Sequence, residues 1–219
     1  MTRVRIKICG VRSVDEARTA LDLGADALGF NFWPRSPRYI SPDNARQVIS
    51  QLPPVAAFIG VFVDEDAQRI INIAAQVGLG AVQLHGDESP EFCALLGSIK
   101  VIKALRVGRD FDIARIRDYR ASAILLDARV EGNYGGTGHS FDWDVAVAAK
   151  QFAPIILAGG LTAENVGDAI RRVQPLAVDV CSGVEAEPGR KDPLKMRAFV
   201  SAVRAANAPN ESPGSEHTR

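Results

Sequence analysis

Short apolar runs alternate with amphipathic segments along almost the whole chain. The runs are VRIKIC (4–9), ALGFNF (27–32), VAAFIGVFV (55–63), AVQLH (81–85), IKVIKAL (99–105), SAILLD (122–127), APIILA (153–158) and LAVDVC (176–181). Each has the length and branched-residue content of a strand buried on both faces. The segments between them carry helix signals. Ser13 and Glu16 form a capping box, and Gly24 stands where a C-terminal cap belongs. Ser41-Pro42 opens a helix striped by Ala45, Val48, Ile49 and Leu52, which Pro53-Pro54 stops. Ala67, Ile70, Ile71 and Ala74 mark a third helix. Thr162 is expected to open another, striped by Val166, Ala169, Ile170 and Val173, and Asp192-Pro193 opens the last. The segments 87–97, 110–120 and 142–152 complete the helices with weaker patterns.

Eight strand–helix repeats imply a parallel sheet wrapped by helices. The economical closure is an α/β fold of the (β/α)8 TIM-barrel type, one domain over residues 1–206. A doubly wound open sheet would carry G-x-G-x-x-G after its first strand, whereas here that strand runs into CGVRS. The polar, proline-containing tail 207–219 is expected to be disordered.

Composition narrows the function. The chain has 219 residues, 47% hydrophobic and 24% charged, with 26 basic and 26 acidic side chains. That balance gives no reason to expect a nucleic-acid or membrane partner. Three widely spaced cysteines form neither a disulfide framework nor a zinc site, so no metal is expected, and Cys93 gets no role beyond packing. No signal peptide or spanning segment is legible, and a cytoplasmic location is the expectation.

Side chains alternate along a strand. If Ile6 and Ile8 face the helices, Lys7 and Cys9 point into the barrel. By the same alternation Gln83 and His85 point inward from strand 4, and Asp179 and Cys181 from strand 8; strand 6 ends in Asp127. Buried polar groups need partners or a purpose. Strands 1 and 8 are neighbours in a closed barrel, so Lys7 and Asp179 are expected to pair. The alternative for Lys7, Gln83 and Asp179 is a purely structural polar cluster.

Two loops suggest a phosphate cradle. AGGLTAENV after strand 7 offers Gly159 and Gly160, and CSGVE after strand 8 offers Ser182 and Gly183. Barrels often bind phosphate there, on backbone N–H groups and a helix N-terminus. The long loop 128–141, with Gly135, Gly136 and Gly138, suits a lid over the mouth. FWPRSPRYISP after strand 2 carries Arg35 and Arg38 between prolines. An arginine there can hold a carboxylate bidentately, or be a solvated surface charge.

The ordered set KICG (7–10), SPR (36–38), VQLHG (82–86), Asp127, GGTG (135–138), FDW (141–143), LAGGL (157–161) and DVCSGVE (179–185) resembles the phosphoribosylanthranilate isomerase family. The likeness runs over about residues 4–205. It implies an Amadori rearrangement of tryptophan biosynthesis, from N-(5′-phosphoribosyl)anthranilate to 1-(2-carboxyphenylamino)-1-deoxyribulose 5-phosphate, without metal or organic cofactor. By resemblance Cys9 is the general base, Asp127 the general acid, Arg38 the contact to the anthranilate carboxylate, and Gly159, Gly160, Ser182 and Gly183 the phosphate loops. Lys7, Gln83, His85, Gly138 and Asp179 would line the pocket of this small phosphosugar. The chain departs from the family at Cys181, where a small hydroxyl residue is usual. Monomer and homodimer are both open. The histidine-pathway aminoaldose isomerase fits less well, since it tends to place an Asp where Cys9 stands and to carry two phosphate loops in matching half-barrels. Indole-glycerol-phosphate synthase would want a lysine and glutamates that cannot be placed. A non-catalytic phosphosugar-binding barrel would have no need of Cys9.

Ring opening needs an acid at the ring oxygen, and the proton on C2 needs a base. An ordinary aspartate is only about one part in a thousand protonated at neutral pH, and an ordinary thiol only a few per cent ionised. The surroundings must therefore correct the resting forms.

Overall fold

The computed structural model describes residues 3–108, 110–128 and 143–208. Eight parallel strands close into a barrel in chain order. They are β1 (Arg5–Cys9), β2 (Ala27–Asn31), β3 (Ala57–Phe62), β4 (Ala81–Leu84), β5 (Val101–Val107), β6 (Ala123–Ala128), β7 (Ile155–Leu157) and β8 (Ala177–Val180). Strand β8 pairs with β1, matching Lys7 to Asp179 and Ile8 to Val180. That pairing removes the open-sheet alternative.

The α-helices are α1 (Val14–Leu23), α2 (Pro42–Ile49), α3 (Ala67–Val77), α4 (Pro90–Leu95), α5 (Trp143–Ala149), α6 (Val166–Val173) and α7 (Pro193–Asn207). Their starts follow the capping chemistry. Ser13, Ser41, Asp66 and Ser89 each accept from the backbone N–H three residues on. Gly24 ends α1 at φ 102°, a conformation that a Cβ disfavours. Helix α7 runs to Asn207, whose side chain clasps both backbone groups of Val4 (2.9 and 3.0 Å), so this residue belongs with the barrel. Residues 209–219 lie outside the described set.

Two expected helices differ. In 110–120 the structure has a 3-10 helix over Ile113–Asp118, with Ile116 as its single buried residue. One anchored side chain does not require the longer amphipathic face of an α-helix. Helix α6 begins at Val166, not at Thr162. Asn165 folds back: its Oδ1 accepts from Thr162 N at 2.8 Å and its Nδ2 donates to Gly160 O at 2.9 Å. That local bonding competes with the first helical turn.

The core has two layers. Between strands and helices lie Ile6, Ile8, Val82, Leu84, Val178 and Val180, as the alternation required. Each such fully buried side chain stabilises the fold by about 1.5–3 kcal/mol. Inside the barrel a smaller plug of Ala27, Ile59, Ile102, Ala123, Leu125 and Ile156 closes the floor. Beyond β8 a short antiparallel hairpin follows, β9 (Glu185–Glu187) and β10 (Arg190–Lys191). A Cβ at Gly189 would lie 2.4 Å from Pro37 O, so this hairpin packs directly on the loop after β2.

Candidate active site

The strand pairings that close the barrel also bring the polar side chains to one mouth. Cys9, Arg38, Gln83, His85, Asp127 and Asp179 line a single cavity, together with Gly159, Gly160, Ser182 and Gly183. The empty space in and above it is about 740 Å³, open solvent included. Lys7 lies beneath it, 2% exposed. Arg35 is exposed and outside the lining. Gly138 and the loop 129–142 lie outside the described residues.

Lys7 Nζ donates to Asp179 Oδ2 at 2.8 Å, the pair expected from neighbouring strands. The other carboxyl oxygen, Oδ1, is buried with no partner among the described residues. Burial pushes the Asp179 carboxyl up to about 7, which Lys7 offsets only in part and which the nearby Cys9 reinforces. Burial works against the Lys7 ammonium, but Asp179 and Cys9 together hold it above its ordinary value. One cation thus serves two acids.

The Cys9 thiol is held well below its ordinary value. A hydrogen bond from Cys181 is the largest cause; burial opposes it, and the charges of Lys7 and Lys191 assist. Thiolate character is what a thiol base requires. The Cys9 sulfur rests on β2, where a Cβ at Gly29 would stand 2.8 Å from it.

Asp127 is 6% exposed and is reached by a hydrogen-bonded chain. In one sense of the chain Gln83 Nε2 donates to His85 Nδ1 at 2.8 Å, and His85 Nε2 donates to Asp127 Oδ2 at 3.2 Å. Turning the Gln83 amide over reverses it: His85 Nδ1 donates to Gln83 Oε1, and Nε2 accepts from a protonated Asp127. In the first sense Gln83 Oε1 is buried without a partner among the described residues; in the second Nε2 takes that place. The chain accommodates both protonation states of Asp127.

At the opposite wall the two glycine loops interlock. Gly159 and Gly160, both in the lining, have φ 78° and 66°, a conformation that residues with a Cβ rarely adopt. A Cβ at Gly183 would lie 2.1 Å from Leu161 O, so only glycine lets the β8 loop approach the β7 loop. The expected help from a helix beginning at Thr162 is missing, because Asn165 occupies that N–H. The donors left are the backbone of the glycines and Ser182.

Arg38 departs from the simple expectation of a free fork. Its Nε and Nη2 each donate to Glu185 at 2.8 Å, and this hydrogen-bonded pairing raises the guanidinium further above its ordinary value despite partial burial. The Nε edge is therefore taken, and Nη1 is the end that a ligand could use. Lys191 Nζ also reaches Glu185, at 3.0 Å, as well as Cys181 O at 3.1 Å. Burial would raise the Glu185 carboxyl, but Arg38 and Lys191 hold it below the ordinary value. Sequence reading missed this cluster. Glu185 only closes the DVCSGVE motif, and nothing marks Lys191, since a fully buried lysine is rare. Asn31 at the end of β2, with Trp33 and Ser36 on the loop after it, completes the wall near Arg38. Among the described residues no group of His, Cys, Asp and Glu could hold a metal ion, and no helix is long and apolar enough to cross a membrane.

The family model for N-(5′-phosphoribosyl)anthranilate (PRA) isomerase matches residues 6–202. A relative of that name from Geobacter metallireducens is 48% identical over 202 residues, covering 92% of this chain and 100% of the relative. The crystal structure of phosphoribosyl anthranilate isomerase from Thermotoga maritima is 42% identical, with a TM-score of 0.85 over 92% of this chain and 99% of that one. A structure of such an isomerase in complex with reduced 1-(o-carboxyphenylamino)-1-deoxyribulose 5-phosphate has a TM-score of 0.82 at 42% identity, over the same shares of both chains. The chain belongs to the N-(5′-phosphoribosyl)anthranilate isomerase family.

Proposed function

We propose that Cys9 and Asp127 are the base and acid of the family's rearrangement, an aldose–ketose isomerisation of tryptophan biosynthesis. Asp127 protonates the ribose ring oxygen of N-(5′-phosphoribosyl)anthranilate, and the ring opens to a Schiff base. The Cys9 thiolate then removes the C2 proton, and the enolamine tautomerises to the 1-deoxyribulose 5-phosphate. The sugar phosphate sits on Gly159, Gly160, Ser182 and Gly183, and the anthranilate carboxylate meets the Nη1 end of Arg38. Anchors at both ends hold C1–C2 between acid and base, which lowers the entropic part of the barrier. Asp179 Oδ1 offers an acceptor to a sugar hydroxyl. Every described residue of the site comes from one chain, so a monomer or a homodimer would carry it. With its thiols free, the reducing cytoplasm is a suitable setting.

The observation that carries this reading is the shared cavity: Cys9 and Asp127 face one space between a cradle of backbone donors and an arginine. The test is consumption of freshly made phosphoribosylanthranilate, followed by its fluorescence, with the histidine-pathway aminoaldose as comparison. Cys9→Ala and Asp127→Asn are each expected to lower kcat by about 10³-fold or more, with KM within a few-fold. Near-normal turnover in either variant removes that residue from the mechanism.

A further inference from the structure

The site contains a second thiol that the rearrangement does not use. The pairing of β1 with β8 runs Lys7 to Asp179 and Ile8 to Val180, and the next residue on each segment is a cysteine: Cys9, the last of β1, and Cys181, just past β8. Adjacent strands lie about 4.8 Å apart, and disulfide-bonded cysteines have Cα atoms about 4.4–6.8 Å apart. Both side chains face the same cavity, where a small solute can reach them. The interaction of the two thiols holds Cys9 below its ordinary value and Cys181 above its own. Cys181 Sγ also lies 3.8 Å from the buried ammonium of Lys191.

We propose that Cys9 and Cys181 form a peroxide-responsive pair, which closes to an intramolecular disulfide and suspends turnover until a thiol reductant reopens it. The Cys9 thiolate attacks one oxygen of hydrogen peroxide, breaking the O–O bond. Cys9 becomes the sulfenic acid, and the departing hydroxide takes a proton to leave as water. The Cys181 sulfur then attacks the sulfenic sulfur; the S–O bond breaks, a second water leaves with the Cys181 proton, and the S–S bond forms. In sum two thiols and one peroxide give one disulfide and two waters. A low-lying, reachable thiolate beside a resolving thiol has the features that mark redox-sensitive cysteines. The remaining cysteine, Cys93, has neither feature. It is 3% exposed in the helix layer, and burial pushes its thiol up. That the bond suspends turnover rests on Cys9 as the base proposed above; that the bond forms does not.

The experiment treats the full chain with hydrogen peroxide at neutral pH and follows four readouts. Free thiols should fall from the three present to one, and the intact mass should drop by two hydrogens. A non-reduced digest should link the Cys9 peptide to the Cys181 peptide. Activity should fall by about an order of magnitude or more and return with dithiothreitol. In Cys181→Ser the sulfenic acid has no resolving partner and proceeds to the sulfinic acid. Its activity, relative to its own untreated rate, should fall without returning. Cys93→Ser should behave like the unaltered chain. A linked peptide containing Cys93, a bond between two chains, or equal recovery in Cys181→Ser would overturn the pair. A Cys9–Cys181 bond that leaves turnover intact would overturn the switch and the role of Cys9 as base, while leaving the bond itself established.

Discussion

Two of the three buried lysine–carboxylate pairs among the described residues sit in different layers of this barrel. Lys103 and Glu88, in the outer layer, meet at 2.6 Å with each side chain 2% exposed. Lys103 also donates to Gly86 O at 2.8 Å and Leu84 O at 3.4 Å, and Glu88 Oε1 accepts from the N–H groups of Asp64 and Gly86. Both charges are thus compensated by fixed neighbours. Lys7 and Asp179, inside the barrel, are nearly as buried (2% and 7%) and meet at 2.8 Å, but one carboxyl oxygen has no partner among the described residues. Its lysine is shared with the Cys9 thiolate. Incomplete bonding in a buried pair is costly. The saturated pair ties β4 and β5 together, whereas the unsaturated one keeps an acceptor and a counter-charge in reserve for a ligand. Burial alone does not separate the two; counting unfilled lone pairs does.

The contrast can be broken most directly at the saturated pair. Lys103→Met leaves the Glu88 carboxylate without its cation, a change expected to cost about 3–5 kcal/mol of stability. In a chain of this size that is roughly 6–20 °C in melting temperature. The kcat of the folded enzyme should stay within about two-fold, because Lys103 points away from the mouth. Denaturant titration and steady-state kinetics on one preparation check both parts. A loss of turnover at unchanged stability would reverse the assignment of roles.

The inner pair should reveal itself through pH. Asp179 lies near 7 in the fold against an ordinary carboxyl near 3.9 when unfolded. Between those values the folded chain binds more protons than the unfolded one. Stability from this group is therefore fully present below about pH 4 and is lost as pH rises through 7. Three units correspond to about 4 kcal/mol. Urea titrations from pH 4 to 7.5 should show that slope in the unaltered chain beyond that in Asp179→Asn, which has nothing to titrate there. Parallel curves for the two would mean that the carboxylate is already compensated.

The barrel and its inward-facing residues were legible because a strand's two-residue period is strict. Once Ile6, Ile8, Val178 and Val180 were assigned to the helix layer, Lys7, Cys9 and Asp179 had one face left, and closure of β8 on β1 made Lys7 and Asp179 neighbours. The glycine loops were legible because φ near 70° at Gly159 and Gly160 leaves little choice of residue. What stayed hidden depends on side-chain reach between distant segments. Arg38 gave no sign that Glu185, 147 residues later, would take one edge of its guanidinium. The backbone at Thr162 looked like a helix start because a threonine before an apolar stripe usually is one, yet Asn165 captured its N–H first. Lys103 and Glu88 are not legible because the run IKVIKAL (99–105) reads as apolar with two lysines, either of which by pattern alone could be an exposed charge.

Removing the inner cation is the converse of removing the outer one, and it should have the smaller effect on folding. Lys7→Met strips Asp179 of its partner, but that carboxyl is already poised near neutrality. It can take up a proton at pH 7 and enter the interior uncharged, which limits the stability loss to about 1 kcal/mol. The cost falls instead on Cys9, whose thiolate loses a supporting charge. A lower thiolate fraction and a misplaced Asp179 should together reduce kcat/KM by about 100-fold, equivalent to about 2.7 kcal/mol. Alkylation of Cys9 by iodoacetamide, measured against pH, should shift to higher pH in the variant. If Lys7→Met instead destabilises the fold as much as Lys103→Met while the alkylation profile stays in place, then both lysines are structural, and the unfilled oxygen of Asp179 holds nothing in reserve.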